Sequence, residues 1–251
     1  MKVGGLAHRN GVTFFSDAFK IKAIKKNNKI DYKIKWILPP SWFKKIRIRP
    51  VFTIINTIYY QFMVFDTKIK LLLALILLLY FIEPFIPIKY NPQYYLNPLE
   101  AMGVVIAIIV IFHRPIIKTL KFHGAEHKVI NCYISYGYVS EELVKKSSRF
   151  NKRCGTNLAV IFLILYGIST VFAAESIIIV VFAFFISIII SKALTKLKGK
   201  RTNSIVNAFQ WITVWEPSEE EIYIATQAFL KLYKSYNIYC REMRKANIDV
   251  L

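Results

Sequence analysis

Long apolar runs alternate with short basic stretches along this chain, and the alternation changes period from one end to the other. Near the start, Phe19-Lys20-Ile21-Lys22 and Tyr32-Lys33-Ile34-Lys35-Trp36 alternate apolar with basic, the period of a half-buried strand. Asn27-Asn28 between them suits a hairpin turn, and Gly4, Gly5 and Gly11 suggest tight backbone before the first strand. Residues 1–50 thus read as a small β-rich part that ends after Pro39-Pro40. Residues 51–66 are apolar but interrupted by Thr53, Asn56, Thr57 and Gln61, which predicts an interfacial or packed helix rather than a span.

Four later runs are candidate membrane spans. Ile69 to Ile88 carries no charge from Leu71 to Ile82, and Pro84 and Pro87 disrupt its far end. In Leu99 to Ile117, the uninterrupted stretch Ala101–Phe112 reaches membrane thickness only with Glu100 and His113 near the headgroups. Leu158 to Ala174 and Ser176 to Ser191 are separated by Glu175 alone, which favours an antiparallel hairpin over one continuous helix. The linker from Lys89 to Pro98, rich in Tyr, Asn and Pro, fits an interface. Beyond Gly199, Ser218 and Glu221 form a capping-box pattern. Ile222, Ala225, Phe229, Leu232 and Tyr236 then make an apolar stripe at helical spacing, a face that packs on the rest of the cytoplasmic part.

Composition changes this picture mainly through charge. A hydrophobic share of 55% suits a membrane protein, whereas a formal net charge of +20 invites a nucleic-acid reading. The distribution decides. Residues 1–50 carry 13 Lys plus Arg, the loop from Glu83 to Leu99 only Lys89, residues 113–155 nine, the Glu175 turn none, and the tail from Lys192 ten. That is the positive-inside pattern for four spans with both termini cytoplasmic, so the lipid bilayer is the expected partner and nucleic acid is not. Cys132, Cys154 and Cys240 form no disulfide framework and fit a reducing compartment, and the N-terminus shows no signal-peptide h-region.

The fold class expected is therefore mainly α. It is a multi-pass helical membrane protein of about four transmembrane helices, with a small cytoplasmic β-rich N-terminal part and a cytoplasmic C-terminal helix. The segments are 1–50, the helix at 51–66, a first transmembrane pair at 69–117, a cytoplasmic loop at 118–155, a second hairpin at 156–191 and the tail at 192–251.

The sharpest chemistry lies in that central loop. His123, Glu126 and His127 stand at i, i+3 and i+4 and project from one face of a helix. The order His-x-x-Glu-His is the inverted zincin pattern, with two imidazoles for a divalent metal, zinc first, and Glu126 as the base that takes a proton from water. A third ligand does not follow from spacing. Cys154, at the mouth of the third span, is the best placed, with Glu216, Glu141 and Glu142 as alternatives in the same compartment and His113 another if the second span ends close by. Against this stands a bland reading in which the two histidines satisfy local hydrogen bonds or meet headgroups, Cys154 is a buried structural thiol, and Arg153 is a charge anchor. His8 has no partner in sequence and reads as structural.

Gly4-Gly5, Ala7 and Gly11-Val12, then Phe122-His123-Gly124-Ala125-Glu126-His127-Lys128, then Arg153-Cys154-Gly155-Thr156, Gln210, Thr213, Glu216-Pro217 and Ile222 occur in an order that resembles the YqhQ-like family of uncharacterised membrane proteins. Members are sometimes labelled predicted metal-dependent enzymes. This chain departs from the family pattern at Leu6, where relatives carry Gln, and at Asn10, where they carry Glu. An acidic residue that often follows the heptad is also replaced, near Ile134. The resemblance implies a multi-pass protein with an intracellular His/Glu/His cluster and supplies no reaction. The leading expectation is metal-dependent hydrolysis at the membrane surface with His123, His127 and Cys154 as metal ligands. The alternative is a non-enzymatic scaffold or assembly factor with a structural cluster. Transport is disfavoured because the spans hold so few ionisable groups.

Overall fold

The computed structural model of this chain describes residues 1–27, 29–40, 43, 49–82, 98–172, 177–197 and 199–246. Four strands come first: β1 (Gly4–His8), β2 (Gly11–Phe15), β3 (Phe19–Lys26) and β4 (Lys29–Trp36). Helices follow: α1 (Arg49–Val64), α2 (Thr67–Ile82), α3 (Pro98–Ile111), α4 (His113–Tyr136), α5 (Glu141–Lys146), α6 (Gly155–Phe172), α7 (Ile177–Lys196), α8 (Lys200–Gln210) and α9 (Glu219–Lys245). The architecture is mainly helical with an N-terminal four-stranded sheet.

The sheet is an antiparallel meander in the order β1-β2-β3-β4. β3 and β4 close on the pair Lys26 and Lys29, with Asn27 in the left-handed region at φ 45°, which asparagine tolerates better than most residues. Asn28 lies outside the described residues. Between β2 and β3 the Ser16 hydroxyl accepts from the backbone N–H of Ala18 and of Phe19, a side-chain turn that brings the chain back. Phe19, Ile21 and Ala23 all turn inward, as the alternation predicts. Strands β1 and β2 go beyond the sequence reading. Gly-Gly-Leu-Ala-His carries little strand preference of its own, and its pairing with β2 supplies the order.

One face of the sheet builds the core. Val12 and Phe14 of β2 and Phe19, Ile21 and Ala23 of β3 cluster with Ala125 and Val129 of α4 and with Ile222, Ala225, Phe229 and Leu232 of α9. Phe14 and Phe229 meet edge to face at 5.6 Å. The capping box that opens α9 is formed: the Ser218 N–H donates to Glu221 Oε2 at 2.8 Å, and the Ser218 hydroxyl bonds the same carboxylate. The other face presents Lys20, which is almost fully buried. Its ammonium donates to the carbonyls of Met63 (2.7 Å), Val64 (2.8 Å) and Phe65 (3.3 Å), placing a cation on the orphan carbonyls that end α1.

The membrane expectation needs correction in its detail. Among the described residues one helix, Ile178–Lys196, is long and apolar enough to cross a bilayer, with mean hydropathy 2.5. A second counts only if α3 and α4 form one broken span, because they meet at a bend of 78°. Helix α3 stops at Ile111, so the expected straight run to Ile117 is not present. From Phe122 to Cys132, α4 is largely buried under the sheet and α9, leaving no lipid-facing surface there. α6 is apolar but short, and α2 ends at Ile82, with residues 83–97 outside the described residues. The Glu175 turn also falls outside them. α6 and α7 nevertheless pack side by side, with the Phe162 and Phe184 rings 6.1 Å apart. A continuous helix would hold those residues roughly 33 Å apart, so the hairpin is the arrangement adopted.

Candidate metal centre

In the segment 118–155 the motif lies on a helix, as its i, i+3, i+4 spacing predicts. His123, Glu126 and His127 sit in the middle of α4, where the helix crosses the sheet and α9. Four-residue spacing brings the two imidazoles together at 4.4 Å between ring centroids. Cys154, just before α6, closes the group. Its Sγ lies 3.3 Å from His123 Nε2, and one ligand atom from each of His123, His127 and Cys154 falls within 4.8 Å of the others.

Both rings are held from behind. His123 Nδ1–H donates to the Thr213 carbonyl at 2.9 Å, and His127 Nδ1–H donates to the Arg149 carbonyl at 2.7 Å. A carbonyl only accepts, so in each neutral ring the proton belongs on Nδ1 and Nε2 keeps its lone pair, which in His123 faces Cys154. A histidine whose other nitrogen donates to a backbone carbonyl is the arrangement seen around metal-bound imidazoles. The donor set fits as well. Two nitrogens and one sulfur suit zinc, whose tetrahedral ligands stand roughly 3.3–3.7 Å from one another, and the Cys154–His123 separation lies in that range. His123, His127 and Cys154 are thus a group that could hold a metal ion.

The carbonyl acceptors are themselves fixed by residues that spacing does not single out. Gln210, fully buried, accepts from the Asn151 N–H (2.9 Å) and donates to the Asn151 carbonyl (2.6 Å) and to Asn157 Oδ1 (3.0 Å). Asn131 on α4 donates to the carbonyls of Ser148 and Phe150 at 2.7 and 2.9 Å. Together they set the segment that presents the Arg149 carbonyl and Cys154. On the other side, the segment after α8 runs along α4. The Trp215 N–H donates to the Leu120 carbonyl at 3.2 Å, and a Cβ on Gly124 would come 1.9 Å from the Trp215 oxygen. Of the residues that support the site, Gln210, Thr213 and Gly124 are among those that carry the family resemblance.

Glu126 is buried, faces the same cavity and makes no hydrogen bond or ion pair among the described residues. Burial pushes its carboxyl up to about 7, and the charge of His123 opposes that rise. The cavity, about 920 Å³, is bounded by His123, Glu126, His127 and Cys154, by apolar Val3 and Leu6, and by other residues of β1, α1 and α6. Lys2 and Arg153 also line it, and neither forms an ion pair among the described residues.

The remaining candidates lie elsewhere. Glu216 pairs with Lys128 at 2.7 Å and with Arg149 at 3.7 Å. Glu141 and Glu142 open α5. His113 is exposed and bonded to the Val110 carbonyl, and His8 bonds Thr13 within the sheet.

A family model described as "Protein of unknown function (DUF1385)" matches residues 57–235, a stretch that includes His123, Glu126, His127, Cys154 and Gln210. The chain is also similar to "Uncharacterized protein YqhQ" of Bacillus subtilis (strain 168), at 44% identity over 54 residues. That match covers 21% of this chain and only 17% of the relative's length. No solved structure matches the chain.

Proposed function

The chain belongs to the DUF1385 family, and from there we propose an integral membrane protein that binds a divalent metal, zinc by its donor set, and hydrolyses a membrane-proximal substrate. The observation that carries the metal reading is the double lock on the imidazoles, each with Nδ1 tied to a carbonyl, with His123 Nε2 beside Cys154 and a ligand atom of His127 within 4.8 Å of both. His123 Nε2, His127 Nε2 and Cys154 Sγ would hold the ion. When bound, it would act as a Lewis acid on the scissile group and lower the pKa of water.

Glu126 supplies the proton chemistry. Its carboxylate lies in the same cavity, one residue from His127 and free of any ion-pair partner among the described residues. In this reading it takes the proton of the attacking water and returns it to the leaving group. Lys2 and Arg153, without an ion-pair partner among the described residues and on the cavity wall, favour an anionic substrate, and Val3 and Leu6 favour one with an apolar portion. A structural site closes with four protein ligands. Three donors beside an open cavity support the catalytic reading over the scaffold reading.

For the membrane, α2, α3, α6 and α7 serve as the four spans, with both termini and the metal centre on the cytoplasmic side. Support comes from aliphatic side chains left bare on these helices, Leu71, Ile111, Leu163 and Ile178 among them, and from the basic residues gathered in the segments assigned to one side.

Elemental analysis of detergent-purified protein tests the metal reading. The parent is expected to carry about one zinc per chain, the double variant His123→Ala/His127→Ala none, and Glu126→Gln the parent's amount. No metal in the parent, or metal undiminished in the double variant, overturns the site. Loss of metal from Glu126→Gln would make Glu126 a ligand in place of a base.

A further inference from the structure

The turn that follows α8 has two unlike faces. Its inner face holds the metal centre: Gln210 and Val214 are fully buried, and the Thr213 carbonyl accepts from His123. Its outer face is bare. Trp211 is 68% exposed, Ile212 79% and Trp215 40%, with Ile205 of α8 a further 51% exposed residue in the same stretch. The turn is rigid. The N–H groups of Thr213 and Val214 donate to the Gln210 carbonyl at 3.1 and 2.8 Å, and the Trp215 indole donates to the Ile212 carbonyl at 3.1 Å. Two indoles and an isoleucine are thus presented outward at a cost in exposed apolar surface.

We propose that the knuckle Trp211–Trp215 is seated in the headgroup layer of a phospholipid bilayer, and that this seating fixes the metal centre at the membrane surface. The proposal rests on reading α7 as a span. Three observations select lipid as the occupant. α7, among the described residues the helix long and apolar enough to cross a membrane, ends at Lys196, and only a short link and α8, roughly 16 Å long, separate the knuckle from where the chain leaves the bilayer. Tryptophan is the side chain enriched at that depth, with an apolar body and one polar N–H. Lys192, Lys196, Lys198, Lys200 and Arg201 precede the knuckle in sequence, the sign of charge that anionic headgroups attract. Because the Thr213 carbonyl lies between the two seated indoles, the depth of the knuckle sets the height of His123.

Fluorescence of the full chain in vesicles of mixed phosphatidylcholine and phosphatidylglycerol tests this. The chain has four tryptophans. Vesicles made with phospholipid brominated high on the acyl chain are expected to quench about half of the emission, and Trp211→Phe/Trp215→Phe should remove most of that quenching. Quenching by aqueous iodide with none by the brominated lipid overturns the proposal. So does quenching by neither, the result a protein partner over the knuckle would give. Carbonate extraction separates this from failure of the membrane reading: a chain stripped from vesicles by carbonate has lost both, whereas one that stays while its indoles face water has lost the seating alone. Zinc content measured on Trp211→Phe/Trp215→Phe must equal the parent's for the comparison to count as seating; a loss overturns the assignment of the indoles to lipid and makes them part of the metal centre's support.

Discussion

Gly5 lacks a side chain where Glu126 fills the space that one would need. A Cβ there would lie 2.4 Å from Glu126 Cγ and 2.6 Å from Oε1, closer than packed atoms approach. β1 therefore passes directly over the buried carboxyl. Gly5→Ala is expected to push Glu126 aside and lower stability by about 1–3 kcal/mol, the usual cost of overpacking, while zinc content is retained. Thermal unfolding in detergent with elemental analysis checks it, and an unchanged midpoint would mean β1 does not make this approach. His8, on the same strand, titrates in the opposite sense. Burial first, and then Lys22, lower its pKa from 6.5 to about 4. The unfolded chain takes up the proton near 6.5 and the folded chain resists it until about 4, so protonation favours unfolding. Stability should fall as pH drops from 6.5 toward 4, and His8→Gln should flatten that part of the profile. A profile identical in parent and variant would remove His8 from the account.

The elements divide the work of the site. α4 carries both histidines and Glu126, so their mutual spacing is set by helical geometry. Cys154 and the Arg149 carbonyl belong to an irregular segment whose position depends on Gln210, 59 residues away from Asn151 along the chain. Gln210→Ala removes three hydrogen bonds and strands the buried Asn151 backbone groups, each at a cost of about 1–3 kcal/mol. Zinc affinity, measured by competition with a chelator, is expected to drop roughly 10–100-fold, the effect usual for residues that orient ligands. Affinity equal to the parent's would show that the segment holds its place without Gln210. α9 was legible in the sequence because its cap and stripe are local, Ser218 to Glu221 and then Ile222 to Tyr236. β1 was not, because Gly4-Gly5-Leu6-Ala7-His8 becomes a strand only beside β2.

In the whole molecule, sheet, α4 and α9 share one core, so the His123, His127 and Cys154 group and α9 lie on the same side of any membrane the chain crosses. Cys240, partly exposed on α9, reports that side better than Cys154, which is buried. A membrane-impermeant thiol reagent is expected to leave Cys240 unlabelled in intact cells and to label it after lysis. Labelling in intact cells would reverse the proposed orientation. The span count illustrates how far composition reaches. Apolar runs mark which segments suit lipid, but the bend between α3 and α4 and the burial of α4 beyond Phe122 depend on what packs against them.

The sequence by itself determined the helical face that joins His123, Glu126 and His127, the stripe and cap of α9, the strands β3 and β4, and the gathering of basic residues in alternate segments. All of these are periodic or local, and a side chain's type and spacing are enough to express them. Only the tertiary structure decided which residue completes the group on α4, why Gly5 and Gly124 must be glycine, and what turns each imidazole. The physical reason is that the deciding partners are backbone carbonyls, those of Arg149 and Thr213, which every residue possesses and which no pattern of side chains can mark.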